Sequence, residues 1–493
     1  MKTKLILLLF LAIVLDAPAS TPINNLKVGG NATFSPGSTI DYANTTVLNF
    51  PLPTVSNSIF VSQASGNNSN SGTLMAPKLT LANAKSAATT GKTIVVLDGT
   101  FNENNLANNL VDWLWYPGTG VNYTGSSTLA IYDDAGGAMT FKVTGWGSFI
   151  HFGTGSESAV VSESNANSSI YFDAYYAKAA NTVDTHSGAN TFKLVNGKFV
   201  AHVSKIEMLS AGASSNCIYW ELGPAEITAD EIRVLDGGAA ADTANCVWGN
   251  PQSTPNGQLY VQSQLYENLS TSANGQHSII YSTGNSAQRI WTSGKQYIGA
   301  SSQSARAINV GAGFAYVDGA EKIIGQIANN GAGSTLYLHS QKQAMPTGST
   351  VEHILNLGQG FINIYELDDT GVASASLVNN SGTLTLGGPC VIARTTTGTA
   401  IINSGAITLA SVVISGVSGG YDIQNTGTAT ALGSKWNNAN VSGNPIQFST
   451  IGNSFRLTPA GAPSSPTEGT VYANSSDHHL YFYNGTTWKQ LDN

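Results

Sequence analysis

A chain of 493 residues is long enough for two to four ordinary domains or for one solenoid. Only 10% of the residues are charged, 53 are glycine and 41% are hydrophobic, a balance that excludes disordered tails and helical bundles and suits many short strands joined by small polar turns. The formal net charge of −8, or −9 once the two lysines and one aspartate of the first nineteen residues are removed, leaves no basic concentration for a phosphate backbone, so no nucleic acid is expected as a partner.

The chain opens with MKTKLILLLFLAIVLDAPAS: a basic start, an apolar run and the small-x-small stretch Ala17, Pro18, Ala19. Residues 1–19 therefore read as a secretory signal, which predicts an extracellular protein with no stable membrane span after signal removal. An uncleaved anchor is the alternative, for which the run is short. Three cysteines, Cys217, Cys246 and Cys390, leave an odd thiol whichever pair forms, so this is not a disulfide scaffold.

Residues 20–57 contain short alternating runs broken by Gly-Gly, Pro-Gly and Pro-Leu-Pro, with too little apolar material for a core of their own. They resemble the slender β-rich necks of bacteriophage tail fibres, a resemblance that implies three chains sharing a core. Residues 58–101 then give a strand, a polar Asn-Ser-Gly loop, an amphipathic helix near Leu81 to Ala88 and the strand TIVVLDGTF. This order resembles the opening of right-handed parallel β-helices of the pectin-lyase-like superfamily. The resemblance implies that the helix caps the open end of the solenoid, where bare strand edges would otherwise template aggregation.

Internal repetition supports the same fold independently. Short β runs start at Phe199, Ile227, Leu259, Ile290, Phe314, Leu336, Phe361, Leu384 and Ile407, at a spacing within the solenoid range. A second run precedes most of them (CIYW, CVWG, SIIY, AINV, HILN, AIIN), and its second column reads Ile218, Val247, Ile279, Ile308, Ile354, Ile401. Six β-branched residues in one column predict a stacked inward ladder. The fold class expected is all-β, a right-handed parallel β-helix over residues 58–455, with residues 110 to 175 as its less regular first coils.

Residues 456–493 start with a Pro/Ala/Ser linker and predict three short strands, the last two joined by Asn484-Gly485, a hairpin signal. They resemble compact modules at the ends of phage structural proteins and some exported bacterial proteins, and so short a unit needs a partner surface or copies of itself.

β-Helices of this kind bind or cut polysaccharide, so outward aromatic and acidic residues are the candidates. An inward Ile218 puts Tyr219 outward, with Trp248 as its equivalent one coil later; stacked rings at the inter-strand spacing suit the CH faces of sugars. Glycoside hydrolysis needs two carboxylates about 5 to 9.5 Å apart. The acidic candidates are Glu221, Glu226, Asp230, Glu231, Asp236 and Glu267, and then Asp368 and Asp369 beside Glu366. Solvated turn carboxylates are the plainer reading of all of them.

The Asn-Thr-Asp, Gly-His-Gly and Arg-Ile-Lys motifs that accompany paired aspartates in β-helical polygalacturonases are absent, and the pair Asp133 and Asp134 lacks them too. The Trp-Ile-Asp-His and Arg-x-Pro-x-x-Arg patterns of pectate lyases are also missing. Nothing in the sequence has zinc-ligand spacing, a phosphate-binding glycine loop or a GxSxG nucleophile, so neither metal nor cofactor is expected. Cys217 and Cys246 fall in one column of consecutive coils, close enough for either a cross-coil disulfide or a stack of half-buried thiols. The function expected is structural and receptor-recognising: a homotrimeric tail-fibre-like or tailspike-like protein binding cell-surface polysaccharide. The alternatives are an exported polysaccharide lyase or glycoside hydrolase of the same fold, and an exported adhesin without chemistry.

Overall fold

A computed structural model describes residues 55–104, 106, 111–125, 129–132, 140–152, 159–180, 187–210, 214–236, 243–251, 253–270, 277–299, 306–346, 349–368, 376–393, 398–415, 417, 419–436, 440–448 and 461–491. The expected signal, the neck up to residue 54, the pair Asp133 and Asp134, Asp369 and the start of the C-terminal linker lie outside the described residues.

The chain forms a right-handed parallel β-helix. Two parallel sheets run along it: a narrow one of 13 described strands and a wide one of 22. The long strands of the wide sheet, from Ser169–Ala180 to Gln359–Asp368, bend into two legs, which elsewhere are separate strands. Ser169–Ala180, for example, pairs through its first half with Thr140–Gly145 and through its second half with Ser148–His151. A coil therefore runs from a narrow strand through a turn into the first leg, round a corner into the second leg and back, as Ser214–Trp220, Ala225–Asp236 and Thr243–Gly249 do.

Alternation decides which side chains enter the core. In Leu259–Asn268 the residues Leu259, Val261 and Ser263 are buried, while Tyr260, Gln262 and Gln264 are exposed. The first coils fill the interior with rings. Trp115, Phe149, Phe172, Phe192 and Phe199 follow one another at centroid separations of 5.0 to 5.6 Å, within the range of favourable aromatic pairs.

Further along, branched aliphatics take over, and the observed column differs from the expected one. It runs Val161, Phe192, Ile218, Val247, Ile280, Ile308, Ile327, Ile354, Val378, Ile401, Ile423, Val441. Ile280 stands where Ile279 was expected, and Ile327 and Val378 are rungs missing from the expected column, although the runs at Leu336 and Leu384 on the same coils were found. Both Ile279 and Ile280 are fully buried, so burial alone could not choose between them. The coil length shrinks from 33 residues between Val247 and Ile280 to 18 between Ile423 and Val441, which is why a fixed period misses rungs. Phe314 and Phe361, two of the expected run starts, face outward; Ala315 and Gly360 are the inward partners of Leu336.

The late coils are held by two polar devices. Asn329, Asn356, Asn380, Asn403 and Asn425 are all fully buried and stack side chain on side chain, each Nδ2 donating to the next Oδ1 at 2.6 to 2.8 Å. Burying an amide is unfavourable unless its hydrogen bonds are made, and the ladder makes them. Two residues after each asparagine lies a glycine whose neighbour on the previous rung allows no side chain: a Cβ on Gly405 would stand 2.1 Å from the Gly382 carbonyl oxygen, and one on Gly427 1.9 Å from that of Gly405.

The expected cap is present as the helix Leu81–Ala87, with Thr80 as N-cap and the Glu103 carboxylate accepting the backbone N–H of Leu81 and Ala82 at 3.0 and 2.7 Å. Leu81 and Ala84 enter the core. At the other end of the chain, Val471–Ala473, Leu480–Tyr483 and Trp488–Gln490 form a separate antiparallel sheet. Tyr472, Tyr481, Tyr483 and Trp488 pack their rings together in it, and Gly485, at φ 87°, makes the Asn-Gly turn.

Candidate functional site

The outward residues of the first leg form a stripe of aromatic rings. The register aligns Glu226, Tyr260, Trp291, Tyr316, Tyr337 and Phe361 on successive strands. The five rings are separated by 6.0, 4.7, 6.4 and 4.5 Å between centroids, so they step along the helix axis one per rung over about 19 Å. Tyr260 and Phe361 are 47% and 38% exposed, and the other three are half-buried, each covered on one side by its neighbour. The indole Nε1 of Trp291 has no acceptor among the described residues.

Beside the stripe runs a polar column: Asp173, His202, Thr228, Gln262, Ser293, then Asp318 and His339, then Asn363. Two histidines in it are held by aspartates, His202 Nδ1 at 2.8 Å from Asp173 Oδ1 and His339 Nδ1 at 3.5 Å from Asp318 Oδ1. Two concavities open on this face. One, of about 440 Å³, is lined by Glu226, Tyr260, Trp291, Tyr316 and Asp318 among others; the second, of about 270 Å³, is lined by Trp146, Asp173, Tyr175, His202 and Asp230 among others. Both include Thr228, so they form one groove along the bend of the wide sheet.

The candidate acids are dispersed by the fold. Glu226 and Asp230 sit in the groove, and neither carboxylate has a hydrogen-bond or ion-pair partner among the described residues. They lie four residues apart on one extended strand, roughly 13 Å along it. Asp173 and Asp230, two rungs apart, are separated by at least about 10 Å. These are backbone spacings, and among the described residues no hydrogen bond or shared partner draws the carboxyl groups of either pair together.

Glu231 and Glu267 lie instead on the second leg, in a ladder of alternating charge. Arg233 Nε stands 3.4 Å from Glu231 Oε2 and 3.1 Å from Glu267 Oε2, while Lys205 Nζ lies 2.6 Å from Glu207 and 3.8 Å from Glu231. Burial pulls the Glu207 carboxyl up, but hydrogen bonds from Lys205 and Tyr176 outweigh it and hold the group below the ordinary glutamate range. Glu366 and Asp368 are both bound by Lys342, at 3.0 and 2.8 Å. Glu221 accepts the Tyr219 hydroxyl at 2.6 Å, and Asp236 ends its strand exposed. In the column Lys178, Glu207, Arg233, Glu267 the acids alternate with the bases, which keeps like charges off neighbouring rungs.

Tyr219 and Trp248 do align, on the narrow sheet, and Tyr281 extends them by one rung; the one-residue shift from Ile279 to Ile280 had hidden it. Their rings lie 5.2 and 5.9 Å apart. All three are half-buried, the Tyr219 hydroxyl is taken by Glu221, and Trp248 Nε1 donates to Thr283 Oγ1 at 3.0 Å. This column is closed on itself and lines neither concavity.

Cys217 and Cys246 occupy equivalent places on adjacent rungs as free thiols, and both are fully buried rather than half-buried. Their sulfurs contact carbonyl oxygens of the second leg, Cys217 that of Arg233 at 3.0 Å and Cys246 that of Glu267 at 3.3 Å. Burial, with Cys246 alongside, pushes the Cys217 thiol well up, and burial pushes Cys390 up to about 12.

Sequence reading missed the stripe although all five of its rings stand within the first three residues of runs it had found: LYVQ, IWTSG, FAYVDG, LYLHS and FINIYE. Apolar rings on the outward face blur a period-two pattern, because both faces then look hydrophobic.

Fold and groove together define a parallel β-helix that carries a solvent-facing aromatic ladder. No family model, curated protein or solved structure matches the chain. Among the described residues no helix is long and apolar enough to cross a membrane, and no cluster of His, Cys, Asp or Glu has a metal-binding arrangement.

Proposed function

We propose that the protein recognises a polysaccharide and does not cleave it, holding the chain against the stripe Tyr260, Trp291, Tyr316, Tyr337 and Phe361. The observation that carries this is the run of five rings, one per rung, bordered by a column of hydroxyl, amide and carboxylate groups. Aromatic faces pack against the CH faces of sugar rings, and the neighbouring polar groups exchange hydrogen bonds with their hydroxyls. The setting that fits the neck-like residues 20–57, the β-helical body and the short C-terminal module is an extracellular, homotrimeric attachment protein of tail-fibre or tailspike type, acting on cell-surface glycan; the signal-like start counts instead for an exported adhesin of the same architecture. Kinship with pectin-lyase-like β-helices belongs to the same proposal.

The enzymatic reading has less support, because the catalytic motifs of polygalacturonases and pectate lyases are absent from the sequence and Glu226 and Asp230 are not drawn together by any shared partner among the described residues. Mass in solution, measured together with reducing-end release from a panel of surface polysaccharides, tests the proposal. A trimer that binds at least one polymer and releases no ends is the expected result. Release of oligosaccharides that persists in the purified protein and is lost in Glu226→Gln would overturn it in favour of the hydrolase.

A further inference from the structure

We infer that the groove takes an uncharged polysaccharide laid along the helix axis and rejects polymers that carry uronate or sulfate groups. This rests on the glycan-recognition reading above and adds the class of glycan and its direction. The direction follows from the rings. They advance along the axis one rung, about 4.8 Å, per step, close to the length of one sugar unit in an extended chain, whereas a chain crossing the axis would meet a single ring.

The charge class follows from the groove walls. Four carboxylates line the two joined concavities, Asp173, Glu226, Asp230 and Asp318, and no lysine or arginine lines either one. Cations flanking the two concavities are held by rings and carbonyls. The Arg289 guanidinium lies 5.6 Å from the Phe314 ring and donates to the carbonyls of Ala287 and Gln288; Lys142 and Lys198 sit over the Tyr171 ring, outside the groove. His202 and His339 are each paired with an aspartate. A neutral sugar offers hydroxyl donors to these carboxylates, a charge-assisted hydrogen bond that favours binding. An anionic sugar would bring like charge among four carboxylates where no lysine or arginine lines the walls, and the overall net charge of −8 adds to the repulsion.

The test is native affinity electrophoresis at low salt. Gels contain either a neutral polymer (hydroxyethylcellulose, galactomannan or dextran) or an acidic one (carboxymethylcellulose, alginate or polygalacturonate). The full-length protein is expected to be retarded at least tenfold more strongly by one or more neutral polymers than by any acidic one, with retardation lost in Trp291→Ala. The double variant Glu226→Gln with Asp318→Asn is expected to gain at least tenfold in retention by carboxymethylcellulose; both residues are solvent-exposed in part, and circular dichroism checks that the variant is folded. Stronger retardation by an acidic polymer overturns the inference and leaves glycan recognition standing. An unchanged response of the double variant to carboxymethylcellulose also overturns it. Retardation by no polymer at all overturns both.

Discussion

The coils between Ser169 and Asn268 and those between Gln359 and Leu432 stack in the same way with different side chains. The early coils are wide. Their long strands carry a ladder of alternating charge on one leg and, towards Tyr260, the first rings of the groove on the other. The late coils are narrow, and they are held inside by stacked asparagines and outside by threonines such as Thr385, Thr408 and Thr430 in one column. The turn and the buried amide fix inward positions and leave outward ones free. The stripe accordingly crosses from one region to the other: Tyr260 stands on an early coil, Tyr316 on the 19-residue coil between Ile308 and Ile327, and Tyr337 and Phe361 on coils that supply Asn329 and Asn356 to the buried ladder.

Breaking one rung of each kind should separate the two roles. The largest effect is expected from Asn380→Ala. It removes donations to Asn403 at 2.6 Å and to the carbonyls of Gly382 and Ala406, and it strands the Asn356 amide. A loss of about 3–4 kcal/mol in urea unfolding is expected, with faster hydrogen exchange from Asn356 to Asn403 and glycan affinity unchanged. Stability within about 0.5 kcal/mol of the parent would show that the ladder is dispensable.

Trp291→Ala should do the reverse. Glycan affinity by calorimetry falls by about 2 kcal/mol, roughly thirtyfold, as for a central interface anchor, while rung pairing is kept. Acid tests the charge ladder. The Glu207 carboxyl is held below its ordinary range, so its contribution to stability is complete above the unfolded-state value of about 4.3 and is lost as pH falls through the lower folded-state value. Thermal midpoints should therefore drop on acidification below about pH 4, and Glu207→Gln should be less acid-sensitive; an identical pH profile would remove Glu207 from the account.

Trp248→Ala is expected to leave glycan affinity within about twofold, because its ring belongs to the closed column. The smallest expected effect is in native thiol titration: Cys217, Cys246 and Cys390 are buried and should give no signal until the protein is unfolded. Three thiols should then appear without reductant.

Much of the solenoid was legible because inward positions must be apolar at every rung. Ile218, Val247, Ile308, Ile354 and Ile401 were placed in their common column from the residues alone. The places where reading failed are those where one face ceased to be informative: Ile279 beside Ile280, both buried, and Phe314 and Phe361, apolar yet outward. The acidic candidates failed for a different reason. Proximity along the chain, as in Glu226, Asp230 and Glu231, says little in a β-strand, where each step of two residues moves a side chain about 6.6 Å and each odd step sends it to the other face. The bend at the corner sends Glu231 to the ion-pair ladder and leaves Glu226 in the groove.

Sequence alone determined the architecture, the cap helix, the Asn-Gly hairpin near the C-terminus and the common column of Cys217 and Cys246. These depend on local turn chemistry and on the periodic need to bury apolar side chains. Tertiary structure decided which rings share a face, which carboxylates are paired and which are free. Those are relations between residues 20 to 35 positions apart, set by coil lengths that vary from rung to rung, and a shift of a single residue in one coil exchanges the inside of the molecule for its surface.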